Sequence, residues 1–273
     1  MSTPIIAFAN HKGGTGKSTI TLQTAYYLAQ RAGIPEGKKI LVVDFDPQGN
    51  TSTRLTRLDD LEELGGTRTA DLFNPDLEEV TPVMTQSGAD LIYSLKNDLD
   101  LDDIELEDLA VFQHPQVHIR RLAQTGKYAA ILLDCPPARS RKLIAALTAA
   151  THVIVPVEVS GFARDGLEGL IRSIEIARQI NDDIQLTGVI INKYSSRSDR
   201  HRREKGRLED ALGDLLLPQN ISFRTPIDEA NCEAIPIWAM AKGSARTAAK
   251  EVKLVCEEII RRTGIKLVKK SRK

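Results

Sequence analysis

The 273-residue chain is poor in the features that mark secreted, disulfide-built and membrane-spanning proteins. Its three cysteines, Cys135, Cys232 and Cys256, are odd in number and far apart. That spacing excludes a disulfide framework and predicts a reducing compartment. No apolar run approaches the length of a bilayer span. Met1–Pro4 is too short for a signal peptide, so a cytoplasmic protein is expected. The same brevity leaves no room before Ile5 for a separate DNA-reading module such as a helix-turn-helix. Net charge is also lacking, with 37 Lys and Arg against 37 Asp and Glu. The placement of charge therefore carries more information than its total.

That placement is uneven. Asp98, Asp100, Asp102, Asp103, Glu105, Glu107 and Asp108 form an acidic block. It lacks the glycine pattern of a metal-binding loop, and reads as a solvated loop and helix face or a contact for a basic partner peptide. Arg197, Arg200, Arg202, Arg203, Lys205 and Arg207 form a basic block, and residues 266–273 are basic again. His114 and His118 have metal-ligand spacing, but Pro115 lies between them and no third ligand accompanies them, so they read as surface histidines.

Short, β-branched apolar runs at 5–9, 40–43, 129–133, 153–157 and 186–191 read as buried parallel strands. Residues 90–94 and 220–223 are further candidates. Helical patterns at 19–31, 117–124, 139–149, 163–180, 203–216 and 247–262 fall between them. The alternation predicts an α/β fold: a single doubly wound domain with a mostly parallel twisted sheet and helices on both faces. Residues 1–264 are expected to form that domain and 265–273 a basic tail. Residues 51–115 are the least regular part.

The first strand runs directly into Asn10-His11-Lys12-Gly13-Gly14-Thr15-Gly16-Lys17-Ser18-Thr19 and then a helix. Strand, glycine-rich turn and helix are the context a phosphate-binding loop requires. The glycines let successive N–H groups converge on an anion, and the helix N-terminus adds its dipole. Lys17 is placed to reach β- and γ-phosphates, and the Ser18 hydroxyl to ligate Mg²⁺. The loop departs from the usual pattern in two ways: His11 replaces the first glycine, and Lys12 is an extra lysine. A lysine at that point cannot easily fold back on its own loop's phosphates, but it can reach a nucleotide held by a facing subunit.

Two further motifs end strands on the ligand-facing edge of such a sheet. In Asp44-Phe45-Asp46-Pro47-Gln48-Gly49-Asn50 the two carboxylates are two residues apart on an extended chain and point the same way. That is costly unless a cation or water network answers them. In Leu133-Asp134-Cys135-Pro136-Pro137 an aliphatic strand ends in a carboxylate, the pattern of a Mg²⁺-organising aspartate.

Together these three motifs resemble the deviant Walker-A ATPases of the ParA/Soj/MinD superfamily, in the form typical of the ParA branch. The likeness continues through Val155-Pro156-Val157 and Gly188–Asn192. It implies a slow, partner-stimulated ATPase with ATP and Mg²⁺ as cofactors. Gly13, Gly14, Thr15, Gly16, Lys17, Ser18 and Thr19 would bind nucleotide, Thr19 at the α-phosphate, and Asn192 would contact adenine. Ser18, Asp44 and Asp134 would support the metal. Lys12, Lys17 and Asp46 would be catalytic: Lys12 by crossing to the partner's nucleotide, Asp46 by orienting the attacking water. The resemblance also implies an ATP-dependent homodimer on non-specific duplex DNA, found at the nucleoid. A ParB-type centromere-binding protein would stimulate it, with a plasmid or chromosome as cargo.

Arg197, Arg200, Arg202, Arg203, Lys205 and Arg207 are the candidates for phosphate contacts, with Arg224 and then Lys242 as secondary ones. No aromatic residue interleaves the cluster, which disfavours single-strand stacking. The tail lacks the bulky apolar face of a membrane-binding helix. An iron–sulfur reductase is excluded by the lack of cysteines before Cys135. Alternatives are a positioning ATPase acting on a membrane or protein scaffold, and an ATP-dependent synthetase.

Overall fold

The computed structural model describes residues 3–107, 109–159, 163–241 and 243–268. Expectations that rest on Asp108, Lys242 and the tail from 269 onward lie outside those residues.

The strands are β1 (Ile5–Phe8), β2 (Lys39–Asp44), β3 (Val83–Met84), β4 (Asp90–Ile92), β5 (Tyr128–Asp134), β6 (His152–Glu158) and β7 (Gln185–Asn192). They form one sheet in the order β3-β4-β2-β5-β1-β6-β7. Every pairing is parallel except β3 with β4. The helices are α1 (Lys17–Gln30), α2 (Asn50–Thr56), α3 (Leu99–Asp103), α4 (His114–Gln124), α5 (Arg141–Ala149), α6 (Ala163–Arg178), α7 (Asp199–Leu212), α8 (Thr225–Cys232) and α9 (Gly243–Thr263).

The period-2 alternation of each strand divides the core between two faces. Ile5, Ala7, Leu41, Val43, Ile131 and Leu133 point to a cluster with Leu143, Leu147, Leu170 and Ile174 of α5 and α6. Ile6, Phe8, Ile40, Val42, Ala130 and Leu132 point to the opposite cluster, with Ile20, Leu22 and Leu28 of α1 and Val252, Val255 and Ile259 of α9. Both faces are covered, which is why the strands read as unbroken aliphatic runs.

Several expectations need correction. Residues 220–223 do not form a strand of the sheet. They make one bridge, Tyr194 with Ser222, and the hydrogen bonds from Ile221 N to Ile191 O and Phe223 N to Tyr194 O. The ladder stops because β7 ends in a left-handed turn at Lys193, with φ 54°. The helix expected at 203–216 begins at Asp199 and ends at Leu212. Ser198 caps it, its hydroxyl accepting from His201 N at 3.3 Å, so most of the basic block is helical.

His118 is buried rather than superficial, because α4 starts at His114, with Pro115 in its first turn, and turns His118 inward. The acidic block is only partly solvated. Asp98 is buried as the cap of α3, and Asp102 and Glu105 bind the buried Lys142 at 2.8 and 3.4 Å.

Helix α9 is tied to the sheet through charge. Glu258 pairs with Arg261 at 2.6 Å and Arg262 at 2.7 Å, and Arg262 donates to Thr187 O, Leu215 O and Leu216 O. Hydrogen bonding and the charge of Arg261 first, and of Arg262 with it, hold the Glu258 carboxyl at about 2. The contribution of a carboxylate depressed in this way is complete above its ordinary value near 4.5. It is lost as pH falls toward 2. Glu258→Gln is therefore expected to lower Tm at pH 7, with a gap to wild type that closes as pH falls from 5 toward 3, read by thermal melts.

Candidate nucleotide site

The site lies on the C-terminal edge of the sheet, over the loop that leaves β1, where ligands of open α/β sheets bind. Gly14 and Gly16 adopt φ 75° and 96°, conformations that L side chains rarely hold. These two residues bend the loop so that α1 starts at Lys17 with its N-terminus facing a cavity. The cavity is lined by Gly13, Gly14, Gly16, Lys17, Ser18, Thr19, Asp46, Asn50, Asn192 and Lys193, and also by Phe223, Arg224 and Asp228.

Neighbouring strands pin the loop. Asn10 Nδ2 donates to Pro156 O at 2.7 Å, and Asn10 Oδ1 accepts from Lys12 N at 2.9 Å. His11, which stands where a first glycine is usual, pairs its Nε2 with Ser173 Oγ of α6 at 3.0 Å. Asn192 Nδ2 donates to Thr15 O at 2.8 Å. The structure thus uses the Asn192 side chain to hold the phosphate loop while the residue also lines the cavity. Thr19 Oγ1 accepts from Asn231 Nδ2 of α8 at 2.9 Å.

Lys17 is buried, with Nζ donating to Lys12 O at 3.2 Å. Burial lowers its pKa, opposed by the charges of Asp134, Cys135 and Asp46. Lys12 is half exposed, and its Nζ lies 3.7 Å from Glu158 Oε2.

Of the three aspartates, only Asp46 lines the cavity. Burial raises its pKa, opposed by the Gln48 N–H and the charges of Lys17 and Lys142. Asp134 sits behind it, fully buried, accepting from Thr51 Oγ1 at 2.6 Å and from the Ser18 hydroxyl. Burial pushes its carboxyl up to about 6, against those hydrogen bonds. Asp44 is spent on α2: its Oδ2 accepts from Ser52 N at 2.9 Å and Ser52 Oγ at 2.7 Å. Burial and then the charges of Asp134 and Asp46 hold Asp44 well above the usual carboxylate range.

Asp134 and Asp46 therefore both act on the buried Lys17 ammonium, with Asp44 buried against the two carboxylates. Such a surplus is relieved by a divalent cation. Ser18 and Asp134 fit that role, since Ser18 lines the cavity and its hydroxyl is already hydrogen-bonded to Asp134 behind it. Among the described residues no group of three or more His, Cys, Asp or Glu forms a ready-made metal cage. A magnesium ion held largely by phosphates and water needs none.

The structure does not bring the basic block into this cavity. Arg197, Arg200 and Arg203 are exposed and enter no ion pair with the described residues. Arg202 pairs with Asp199, Arg207 with Glu204 at 2.6 Å, and Lys205 with Glu209 at 3.6 Å. Arg224 is set apart from that helix, lining the cavity and paired with Glu251 at 3.0 Å. Sequence reasoning missed Lys193, Glu158 and Asn231, which reach the loop only through tertiary contacts and carry no signal in spacing.

The sequence and the fold are similar to those of known proteins. Residues 3–186 match the family model of the AAA domain. The chain is 30% identical over 244 residues to the chromosome partitioning protein ParA of Caulobacter vibrioides, covering 82% of this chain and 85% of that one. It is 28% identical over 264 residues to protein IncC of Escherichia coli, covering 94% of this chain and 69% of the relative. The crystal structure of cobyrinic acid a,c-diamide synthase from Mycobacterium smegmatis, with bound ADP and magnesium, superposes with a TM-score of 0.73 at 25% identity. That superposition covers 95% of this chain and 94% of the other. The chain belongs to the ParA/Soj/MinD superfamily of deviant Walker-A ATPases and sits with its ParA-type partition ATPases.

Proposed function

We propose that the chain is a nucleotide-gated partition ATPase whose ATP-bound homodimer holds duplex DNA without regard to sequence and releases it on hydrolysis. The observation that carries this reading is the pairing of a buried Lys17 with an exposed Lys12 on one loop. The first lines the cavity with Asp46, and the second is half exposed beside Glu158 and does not line it.

ATP is the substrate, and Mg²⁺ supplies positive charge to its phosphates. The loop N–H groups and Lys17 bind the phosphates. Ser18 and Asp134 would hold the metal, and Asp44 would support them through Ser52 and α2. Asp46, at the cavity wall with a raised pKa, orients the attacking water and accepts its proton. Lys12 stabilises transition-state charge on the partner subunit's nucleotide, so each site is completed only in the dimer. Hydrolysis is consequently slow until a ParB-type centromere-binding partner adjusts that geometry.

The exposed face of α7 and the turn before it supply phosphate contacts: Arg197, Arg200 and Arg203 are exposed and enter no ion pair among the described residues, and the helix N-terminus at Ser198 adds its dipole. Arg202, Lys205 and Arg207 flank them, already sharing their charge with neighbours on the same helix. Arg224 contributes at the nucleotide edge instead. Among the described residues no helix is long and apolar enough to cross a membrane. A cytoplasmic, nucleoid-associated protein fits this reading.

Arg200→Ala combined with Arg203→Ala tests the DNA surface. DNA affinity is expected to fall at least tenfold, and the dependence of log K on log salt to lose about two units of slope. ATP binding should persist. Unchanged DNA binding by this double variant would remove α7 from the account.

A further inference from the structure

Lys193 follows the last residue of β7 and has a backbone that few L residues adopt, with φ 54°. Such a conformation persists only where surrounding contacts enforce it. Here they do: Lys193 Nζ donates to Gly14 O at 2.7 Å and pairs with Glu158 Oε1 at 2.8 Å. Glu158, at the end of the adjacent strand β6, is the same carboxylate whose other oxygen faces Lys12 at 3.7 Å. Lys193 also lines the cavity.

The consequence for the phosphate loop follows from peptide geometry. In a trans peptide the carbonyl and the next N–H point in opposite directions, and the described residues contain no cis peptide bond. Fixing the direction of Gly14 O through Lys193 therefore also fixes that of the Thr15 N–H, antiparallel to it. Asn192 does the same one residue later, its bond to Thr15 O fixing the Gly16 N–H. Two consecutive residues at the end of β7 thus set two consecutive peptide planes of the loop.

We propose that Lys193, held by Glu158, is a positioning residue that pre-orients the Gly14–Thr15 peptide of the phosphate loop for anion binding. The proposal rests on reading the cavity as the nucleotide site. Glu158 has two tasks: it fixes the Lys193 ammonium against the carbonyl, and it neutralises a charge that would otherwise repel Lys12 and Lys17. The class of ligand served is a nucleoside di- or triphosphate, since both present a β-phosphate to this loop.

Lys193→Met keeps the chain length and the backbone cost of the turn but removes the donor. Affinity for ADP and ATP, measured by calorimetry with Mg²⁺, is expected to fall about tenfold. In steady-state turnover KM should rise while kcat changes less than twofold. Lys193→Arg, which keeps a donor and a charge for Glu158, should recover binding to within about threefold. Glu158→Gln should weaken binding less than Lys193→Met, and the double variant should be no weaker than Lys193→Met alone.

Lys17→Ala is the control that separates this proposal from the site reading. If Lys17→Ala binds nucleotide normally, the site reading itself fails. If Lys17→Ala abolishes binding while Lys193→Met binds as wild type does, the positioning role alone is overturned. Equal losses in Lys193→Met and Lys193→Arg, with matching losses of Tm, would reduce Lys193 to a structural residue and also overturn it.

Discussion

Replacing Asp46 by asparagine is expected to lower ATP turnover by about 100-fold or more while leaving nucleotide affinity within a few fold. Asp46 is the only one of the three clustered aspartates that lines the cavity, so it is the one within reach of a water there. Its environment suits proton acceptance, because burial raises its pKa against the opposing Gln48 N–H and the charges of Lys17 and Lys142. Asparagine preserves the size of the side chain and the turn that accepts from Gln48 N at 3.0 Å through Oδ1. The loss should therefore appear in kcat and not in folding. If binding requires Asp46 but turnover does not, the residue serves the metal and not the water. Asp134→Asn should behave differently, since that side chain is fully buried behind the cavity and accepts from Thr51 and Ser18. Its loss should weaken Mg²⁺-dependent binding first.

Gly16→Ala is expected to reduce nucleotide affinity by about 100-fold. A Cβ at this position would lie 2.1 Å from Asn192 Nδ2 and would have to hold φ 96°. The backbone strain alone costs about 1–3 kcal/mol. Moving Asn192 aside removes its bond to Thr15 O, so the Gly16 N–H loses its orientation as well. Gly14→Ala is the informative comparison. A Cβ there meets nothing within 4 Å, although φ is 75°. It carries the strain without the clash, so its effect should be about tenfold or less. Calorimetric titration of both variants with ATP and Mg²⁺ checks the order, and equal losses would mean that strain, not Asn192, dominates.

The parts of the fold that could be read from sequence are those where local pattern and tertiary role coincide. Ile5–Phe8, Tyr128–Asp134 and His152–Glu158 are buried on both faces, so burial itself writes an aliphatic run into the chain. The phosphate loop was legible because glycine spacing follows directly from its backbone conformation. Strand β3 was not, because a two-residue antiparallel pairing leaves no period. Short helices α2 and α3 have too few residues for a recurring face.

The acidic block misled for a related reason. Charge along the chain says nothing of the buried Lys142 that Asp102 and Glu105 meet from another element. At the site, the sequence placed Asp44 and Asp46 on one side of an extended chain, but the turn at Pro47 sends them to different neighbours. Asp44 bonds α2, and Asp46 lines the cavity. Asn192 was singled out for its strand end, while the direction of its amide toward Thr15 O depends on the packing of β7 against the loop. Lys193 and Glu158 depend on the same packing and so had no signature.

The central claim is that nucleotide state gates DNA binding. Its most direct test is a mobility-shift titration of a duplex of arbitrary sequence with the protein and Mg²⁺, comparing ATP, ADP and no nucleotide. The account predicts a shift with ATP that is at least tenfold weaker with ADP or without nucleotide, and lost at high salt. Equal DNA binding in all three conditions would contradict it.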